Sequence, residues 1–171
     1  NIAFYSVLKE DKSILFQKAV EEGIRKQLKY FLKIDNIVND RDDIRKKLIS
    51  FKIEDLSNVL NWFLGKGVEI AEDKVNFNSL DKPDVAETRS KEINLLPKYI
   101  DNLVLDYLFG VISKAQEMGM TPIEVIQYLS ENLSETAKKR GEVAARREIL
   151  TIINTVEYET YKLNSIKKIM W

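Results

Sequence analysis

The residues in this sequence that could take part in chemistry are mainly carboxylates and one short glycine-rich run. Asp40, Asp42 and Asp43 have a spacing reminiscent of a calcium loop, but the glycine and the terminal glutamate of an EF-hand are absent. These acids are better explained as the N-cap and first turn of a helix, where carboxylates interact favourably with unpaired N–H groups. The run Gly65–Gly67 is shorter than a phosphate-binding loop, and it predicts a bend or an end of a helix.

Histidine and cysteine, which are common in metal centres and in covalent catalysis, are both absent from the sequence. Their absence excludes zinc sites of the Cys/His type, thiol nucleophiles and histidine-dependent triads. No pattern in the sequence places two carboxylates together in an apolar pocket. The sequence therefore predicts a protein that is not an enzyme, with no catalytic residue, no metal site and no cofactor.

The segment from residue 138 to residue 171 is basic, although the whole chain is neutral. It contains eight lysines and arginines against four acidic residues, whereas the whole chain contains 27 of each kind. Such a segment could contact the phosphates of a DNA backbone, although the neutral chain does not indicate a globally basic nucleic-acid binder. The residues predicted for this contact are Lys138, Lys139, Arg140 and Arg147. We favour the alternative of a solvated helix face with ion pairs between residues four apart, such as Lys138 with Glu142.

Helices are the elements that would position these residues. Apolar residues make up 44% of the chain and recur every three or four positions, with only three prolines and six glycines to interrupt them. The predicted helices span residues 11–34, a short segment ending at Phe51, residues 54–75, Pro97 to Gly119, Thr121 to Leu133, and Ser134 to about Lys168. The sequence therefore predicts an all-α fold, an irregular helical bundle of five or six helices with a long C-terminal helix.

Two further features organise the chain. Residues 76–94 contain few large apolar side chains, and they predict a connector between an N-terminal helical region (residues 1–75) and a C-terminal helical region (residues 95–171). Thr121 and Glu124 form a capping box, with a proline at the first helical position. No apolar run approaches the roughly 20 residues that span a membrane, so no membrane contact is predicted.

The last fifty residues contain an ordered set of motifs. In chain order its members are Gly119, Thr121, Pro122, Glu124, Ala145, Arg146, Glu148, Asn154, Tyr161 and Trp171. Asn154 follows Glu148 by six residues, and Tyr161 follows Asn154 by seven. This set resembles the helical region of phage head morphogenesis proteins, the minor head proteins of the Mu F-like type. The resemblance covers about residues 119–171.

The resemblance implies a structural minor head protein of a tailed virus or provirus, which acts in capsid assembly through protein–protein contacts near the portal. The implied partners are portal or other capsid proteins, with DNA as a weaker possibility, and the implied location is the virion head interior or the host cytoplasm. Arg147 departs from the pattern by replacing a threonine, and Ser165 by replacing the glycine that commonly ends the helix. The family continues beyond the matched segment, so we expect the chain to belong to a longer protein.

Within the matched segment, we predict that Arg146, Glu148 and Asn154 form one polar cluster at a helix–helix junction. Asn154 would hydrogen-bond a facing backbone group there, because a buried amide left unpaired costs about 1–3 kcal/mol. Two other functions remain open. The chain could be a helical adaptor or regulatory module that binds a partner helix at an exposed Trp62–Phe63, or a non-catalytic accessory domain of a larger enzyme.

Overall fold

The computed structural model describes residues 2–34, 36–52, 57–75 and 80–165, and these residues form helices and loops without a β-strand. The helices are α1 (Ile2–Leu8), α2 (Asp11–Phe31), α3 (Arg41–Lys47), α4 (Ser57–Val75), α5 (Val85–Glu117) and α6 (Pro122–Leu163). The predicted all-α fold with a long C-terminal helix is confirmed, since α6 contains 42 residues.

The described residues pack as two compact units, each built from separate segments of the chain. Unit 1 is formed by the described residues of Asn1–Gln17, Glu54–Asn94 and Ala145–Trp171, and unit 2 by those of Lys18–Ile53 and Leu95–Ala144. Each unit combines segments from both sides of the predicted connector. Neither unit therefore coincides with the predicted N-terminal region or with the predicted C-terminal region.

The C-terminal part of the predicted connector is helical. Helix α5 begins at Val85, so the prediction is wrong for residues 85–94, while residues 76–79 lie outside the described residues. The carboxylate of Asp84 accepts a hydrogen bond from the N–H of Ala86 at 2.9 Å, as an N-cap does. This cap starts the helix although few large apolar residues follow it.

Pro97 lies inside α5 rather than in its first turn. A proline inside a helix removes one backbone donor and crowds the preceding turn, which favours a helix boundary. Here the neighbouring Leu96 and Ile100 are 1% and 0% exposed, so the burial of apolar surface on both sides offsets this cost. Packing therefore overrides the local signal.

Two helix starts lie where the sequence predicted them. The Asp40 carboxylate accepts hydrogen bonds from the backbone N–H groups of Asp42 and Asp43, at 2.9 and 3.0 Å. At the start of α6, the N–H of Thr121 donates to the Glu124 carboxylate at 2.7 Å, and the N–H of Glu124 donates to the Thr121 hydroxyl at 3.3 Å. The N-cap at Asp40 and the capping box are both confirmed.

The turn before α6 is also as predicted, but α6 itself is not divided. Gly119 has φ +72°, and the N–H of Met120 donates to the carbonyl of Ala115 at 2.9 Å, as in a glycine-ended helix. The predicted break after Leu133 is wrong, because α6 continues through it. Leu133 and Ala137 are both buried, and this packing holds the helix together where the local sequence suggested an end.

Aromatic side chains contribute to the core of unit 1. The rings of Phe16 and Phe63 pack edge to face with centroids 5.4 Å apart, and both side chains are fully buried. Trp62 is half-buried against Phe63, and the Lys66 ammonium lies 5.4 Å from the centroid of the Trp62 ring. The prediction of an exposed Trp62–Phe63 surface is therefore wrong, and a partner helix has no access to Phe63.

A buried polar network holds α2 and α5 in unit 2. The side-chain amide of Gln27 donates to Asp101 Oδ1 at 2.6 Å and to the carbonyl of Ile49 at 2.8 Å. The same Asp101 oxygen accepts from the backbone N–H of Phe51 at 2.6 Å. Residues 49–51 were predicted to be helical, but α3 ends at Lys47. Their backbone groups are instead used to bind these two side chains.

Candidate functional site

Two glutamates are buried together in unit 1, Glu92 on α5 and Glu148 on α6. Each is 8% exposed, and their carboxyl groups are close enough for each to affect the pKa of the other. Glu148 lies four residues after the buried Ala144 and four before the buried Ile152. Because residues four apart share one face of a helix, the packing of α6 directs this carboxyl into the core.

The environment of the pair favours protonation. Burial is the main reason that the pKa of Glu92 is raised. Burial, followed by the charge of the Glu92 carboxyl, raises the pKa of Glu148 to about 7, and the charge of Arg147 opposes this shift. Two adjacent carboxylates repel each other, so the pair holds a shared proton near neutral pH. With a proton on one carboxyl group, that group can donate a hydrogen bond to the other.

A second polar group in unit 1 joins α4 to the C-terminal end of α6. Lys74 Nζ lies 2.7 Å from Glu157 Oε1, and the hydroxyl of Tyr161 donates to the same oxygen at 3.0 Å. Burial, followed by the Glu157 carboxylate, raises the pKa of Tyr161. Glu157 thus has a cation and a hydroxyl donor as partners, unlike Glu148. The arrangement gives this buried carboxylate two polar partners and holds the ring of Tyr161 against it.

The predicted cluster of Arg146, Glu148 and Asn154 is wrong. Glu148 is buried, whereas Arg146 and Asn154 are exposed. At about 100° per residue, Arg146 points about 160° away from Glu148, and Asn154 points about 120° away from it. Three residues at this spacing cannot meet on one face of α6.

An asparagine does bind a facing backbone in unit 1, but it is Asn164. Its side-chain oxygen accepts from the N–H of Asp81 at 2.9 Å, and its amide donates to the carbonyl of Asp81 at 2.9 Å. The amide also donates to the carbonyl of Thr160 at 2.8 Å. Ser165, the next residue, has φ +55°, so it takes the backbone conformation that a glycine commonly provides after a helix.

The four basic residues predicted to contact DNA fall into different surroundings. In unit 2, Lys138 is exposed, Lys139 forms an ion pair with Glu135 at 2.7 Å, and the guanidinium of Arg140 stacks 4.4 Å from the ring centroid of Tyr107. Arg147 belongs to unit 1 and is exposed. The structure therefore brings Lys139 and Arg140 together, and it gives Arg140 a fixed position.

Lys139 and Arg140 line a surface groove of unit 2 between α5 and α6. We call this the α5–α6 groove; it has a volume of about 310 Å³ and is lined by Leu103, Tyr107, Thr136, Lys139, Arg140 and Val143. The hydroxyls of Tyr107 and Thr136 lie 3.2 Å apart and share a hydrogen bond. Val143 is 62% exposed. The groove thus combines an apolar lining with two cations.

Several of these features were missed from the sequence. Lys74 and Glu157 are 83 residues apart, as are Asp81 and Asn164, and no local pattern predicts such pairs. Among the described residues, no group of three or more acidic, histidine or cysteine side chains is arranged to hold a metal ion. No described helix is both long enough and apolar enough to cross a membrane.

Comparisons with protein-family models, with curated proteins and with solved structures give no match for this chain. Its function is consequently inferred from the residues themselves and from their geometry.

Proposed function

We propose that this chain is a structural minor head protein of a tailed virus or provirus, which acts in capsid assembly through contacts with the portal or another capsid protein. The observation that carries the proposal is the ordered spacing of matched residues from Thr121 to Tyr161. Support comes from the capping box at the start of α6 and from the continuity of this helix to Leu163. In an uninterrupted helix, each sequence spacing between matched residues corresponds to a fixed distance along the helix axis and a fixed angle around it.

The exposure of two matched residues supports a role in contacts. Arg146 and Asn154 are exposed, eight residues apart on α6, and eight residues are close to two helical turns. Packing of the core does not determine the type or the spacing of exposed side chains. We therefore attribute the spacing of these two residues to contact with a partner surface. Arginine and asparagine provide hydrogen-bond donors that suit such a surface.

The test is complex formation with the portal protein encoded by the same genome. The two proteins are co-expressed and separated by size-exclusion chromatography, and we expect co-elution. The double variant Arg146→Ala, Asn154→Ala should lose co-elution while keeping its helical circular dichroism spectrum. Thr151→Ala, at another exposed position of α6, is the matched control and should still co-elute.

Two results would contradict the proposal. The first is a genome in which no portal, terminase or major capsid gene accompanies this one. The second is wild-type protein that forms no complex with either the portal or the major capsid protein. DNA contact, an adaptor role and an accessory role in a larger enzyme stay as predictions.

A further inference from the structure

We propose that the α5–α6 groove of unit 2 binds an acidic peptide segment of a partner protein, anchored by an apolar side chain. Neither Arg146 nor Asn154 lines this groove. The proposal is independent of the assignment to viral heads, because it depends only on the lining of the groove. The apolar surface and the charge of that lining together determine the kind of partner.

The lining suits an apolar side chain. Leu103 and Val143 contribute aliphatic surface, and Tyr107 contributes its ring. Val143 is 62% exposed, so covering it would remove apolar surface from water. The volume of about 310 Å³ is at the lower end of the range of about 300–1,000 Å³ for ligand pockets. It matches one or two inserted side chains rather than a whole helix.

The charge suits a carboxylate. Arg140 has no carboxylate partner among the described residues, and its guanidinium is held over Tyr107 at 4.4 Å. A stacked guanidinium loses little freedom when it binds and keeps its N–H donors directed outward. Lys139, the other cation of the lining, forms an ion pair with the exposed Glu135. An exposed ion pair contributes little to stability, so a carboxylate of the partner can take the place of Glu135. Two adjacent cations thus complement an acidic segment.

The combination favours a peptide over nucleic acid. A DNA backbone would use the two cations, but it would leave the aliphatic surface of Leu103 and Val143 uncovered. An apolar anchor followed by a carboxylate uses both components of the lining, as anchors with a polar rim do at protein interfaces. The lining therefore selects a partner that presents both kinds of group in one short segment.

The experiment measures fluorescence anisotropy of labelled probes with the full chain. The probe is a short amphipathic peptide of leucine and glutamate; the two comparison peptides replace each glutamate by lysine or each leucine by serine. We expect the leucine–glutamate peptide to bind at least about tenfold more tightly than either comparison peptide. A short DNA duplex, measured at about 50 and 200 mM salt, is the competing arm.

Variants place the binding in the groove. Val143→Glu and Arg140→Gln should each weaken binding of the leucine–glutamate peptide about tenfold. Lys138→Glu is the matched control, since it changes charge next to the groove on an exposed side chain that does not line it; it should weaken binding less than about threefold. Circular dichroism checks that each variant is folded.

The proposal is overturned if no peptide binds, or if the lysine peptide binds as tightly as the glutamate peptide. It is also overturned if Lys138→Glu weakens binding as much as Val143→Glu does. Tighter binding of duplex DNA than of the leucine–glutamate peptide, with steep salt dependence, would assign the cations to nucleic acid instead. A failure of the portal co-elution test would leave these results unaffected, because the peptide experiment uses neither a portal protein nor a variant of Arg146 or Asn154.

Discussion

Replacing Glu148 by glutamine tests whether the buried pair holds a shared proton. The pKa of Glu148 is raised to about 7 from an ordinary value of 4.5, while the unfolded chain keeps the ordinary value. Between these two values the folded protein retains a proton that the unfolded chain has released. The stabilisation that this proton contributes is therefore fully present below pH 4.5, and it is lost as the pH rises through about 7.

The size of the effect follows from the shift. At about 1.4 kcal/mol per pKa unit, the upper limit is roughly 3 kcal/mol. Relaxation and water penetration reduce the penalty of a buried charge, so we expect the wild-type protein to lose about 1–2 kcal/mol between pH 5 and pH 8. Glutamine has nearly the same shape as the protonated acid, and its amide can donate to the Glu92 carboxylate at any pH.

The assay is urea unfolding followed by circular dichroism at pH 5 and at pH 8. Glu148→Gln should be within about 0.5 kcal/mol of the wild-type protein at pH 5 and about 1–2 kcal/mol more stable at pH 8. Glu131→Gln, an exposed position on the same helix, is the control and should change stability by less than about 0.5 kcal/mol at both values. A variant that keeps the wild-type pH dependence, or that is destabilised most at pH 8, would refute the shared proton.

Three further predictions concern backbone and caps, each measured by thermal or urea unfolding. A Cβ at position 141 would lie 2.8 Å from the backbone Cα of Glu21, so Gly141→Ala should destabilise the protein by about 1–3 kcal/mol. At position 110 a Cβ would meet open space, so Gly110→Ala should stabilise the protein by up to about 1 kcal/mol. Equal effects of these two alanines would contradict the close approach. Ser165→Gly should stabilise the protein by about 0.5–1 kcal/mol, because it relieves a left-handed φ of +55°, and no change would mean that this residue leaves that conformation in solution. Thr121→Ala removes one half of the capping box and should cost about 1 kcal/mol; a neutral result would show that Glu124 alone supports the first turn.

The helix starts could be predicted from the sequence where the capping residue acts on its own neighbours. Asp40 and Thr121 bind N–H groups two or three residues away, so the relevant pattern lies within one turn. A similar signal exists at Asp84, which caps α5 and is followed by Glu87 three residues later. The predicted helix start lay instead at Pro97, because proline is common in the first turn of a helix.

The buried polar groups could not be predicted, because their partners are distant in sequence. Glu92 meets Glu148 from another helix, and Lys74 meets Glu157 across 83 residues. A helical pattern tells which side chains share a face, but not which face of another helix lies opposite. The predicted cluster at Asn154 failed for a simpler reason, since its three members do not share a face at all.

The structure changes which matched residues carry information about function. Glu148 and Tyr161 are held by contacts inside unit 1, so packing alone is a sufficient reason for their types and spacing. Any helix that buries one face repeats its core positions every three or four residues, whatever its function. Arg146 and Asn154 are different, because they are exposed and core packing does not require an arginine or an asparagine there. The strength of the proposed function therefore depends on these two residues more than on the buried ones, and they are the positions that the co-elution experiment changes.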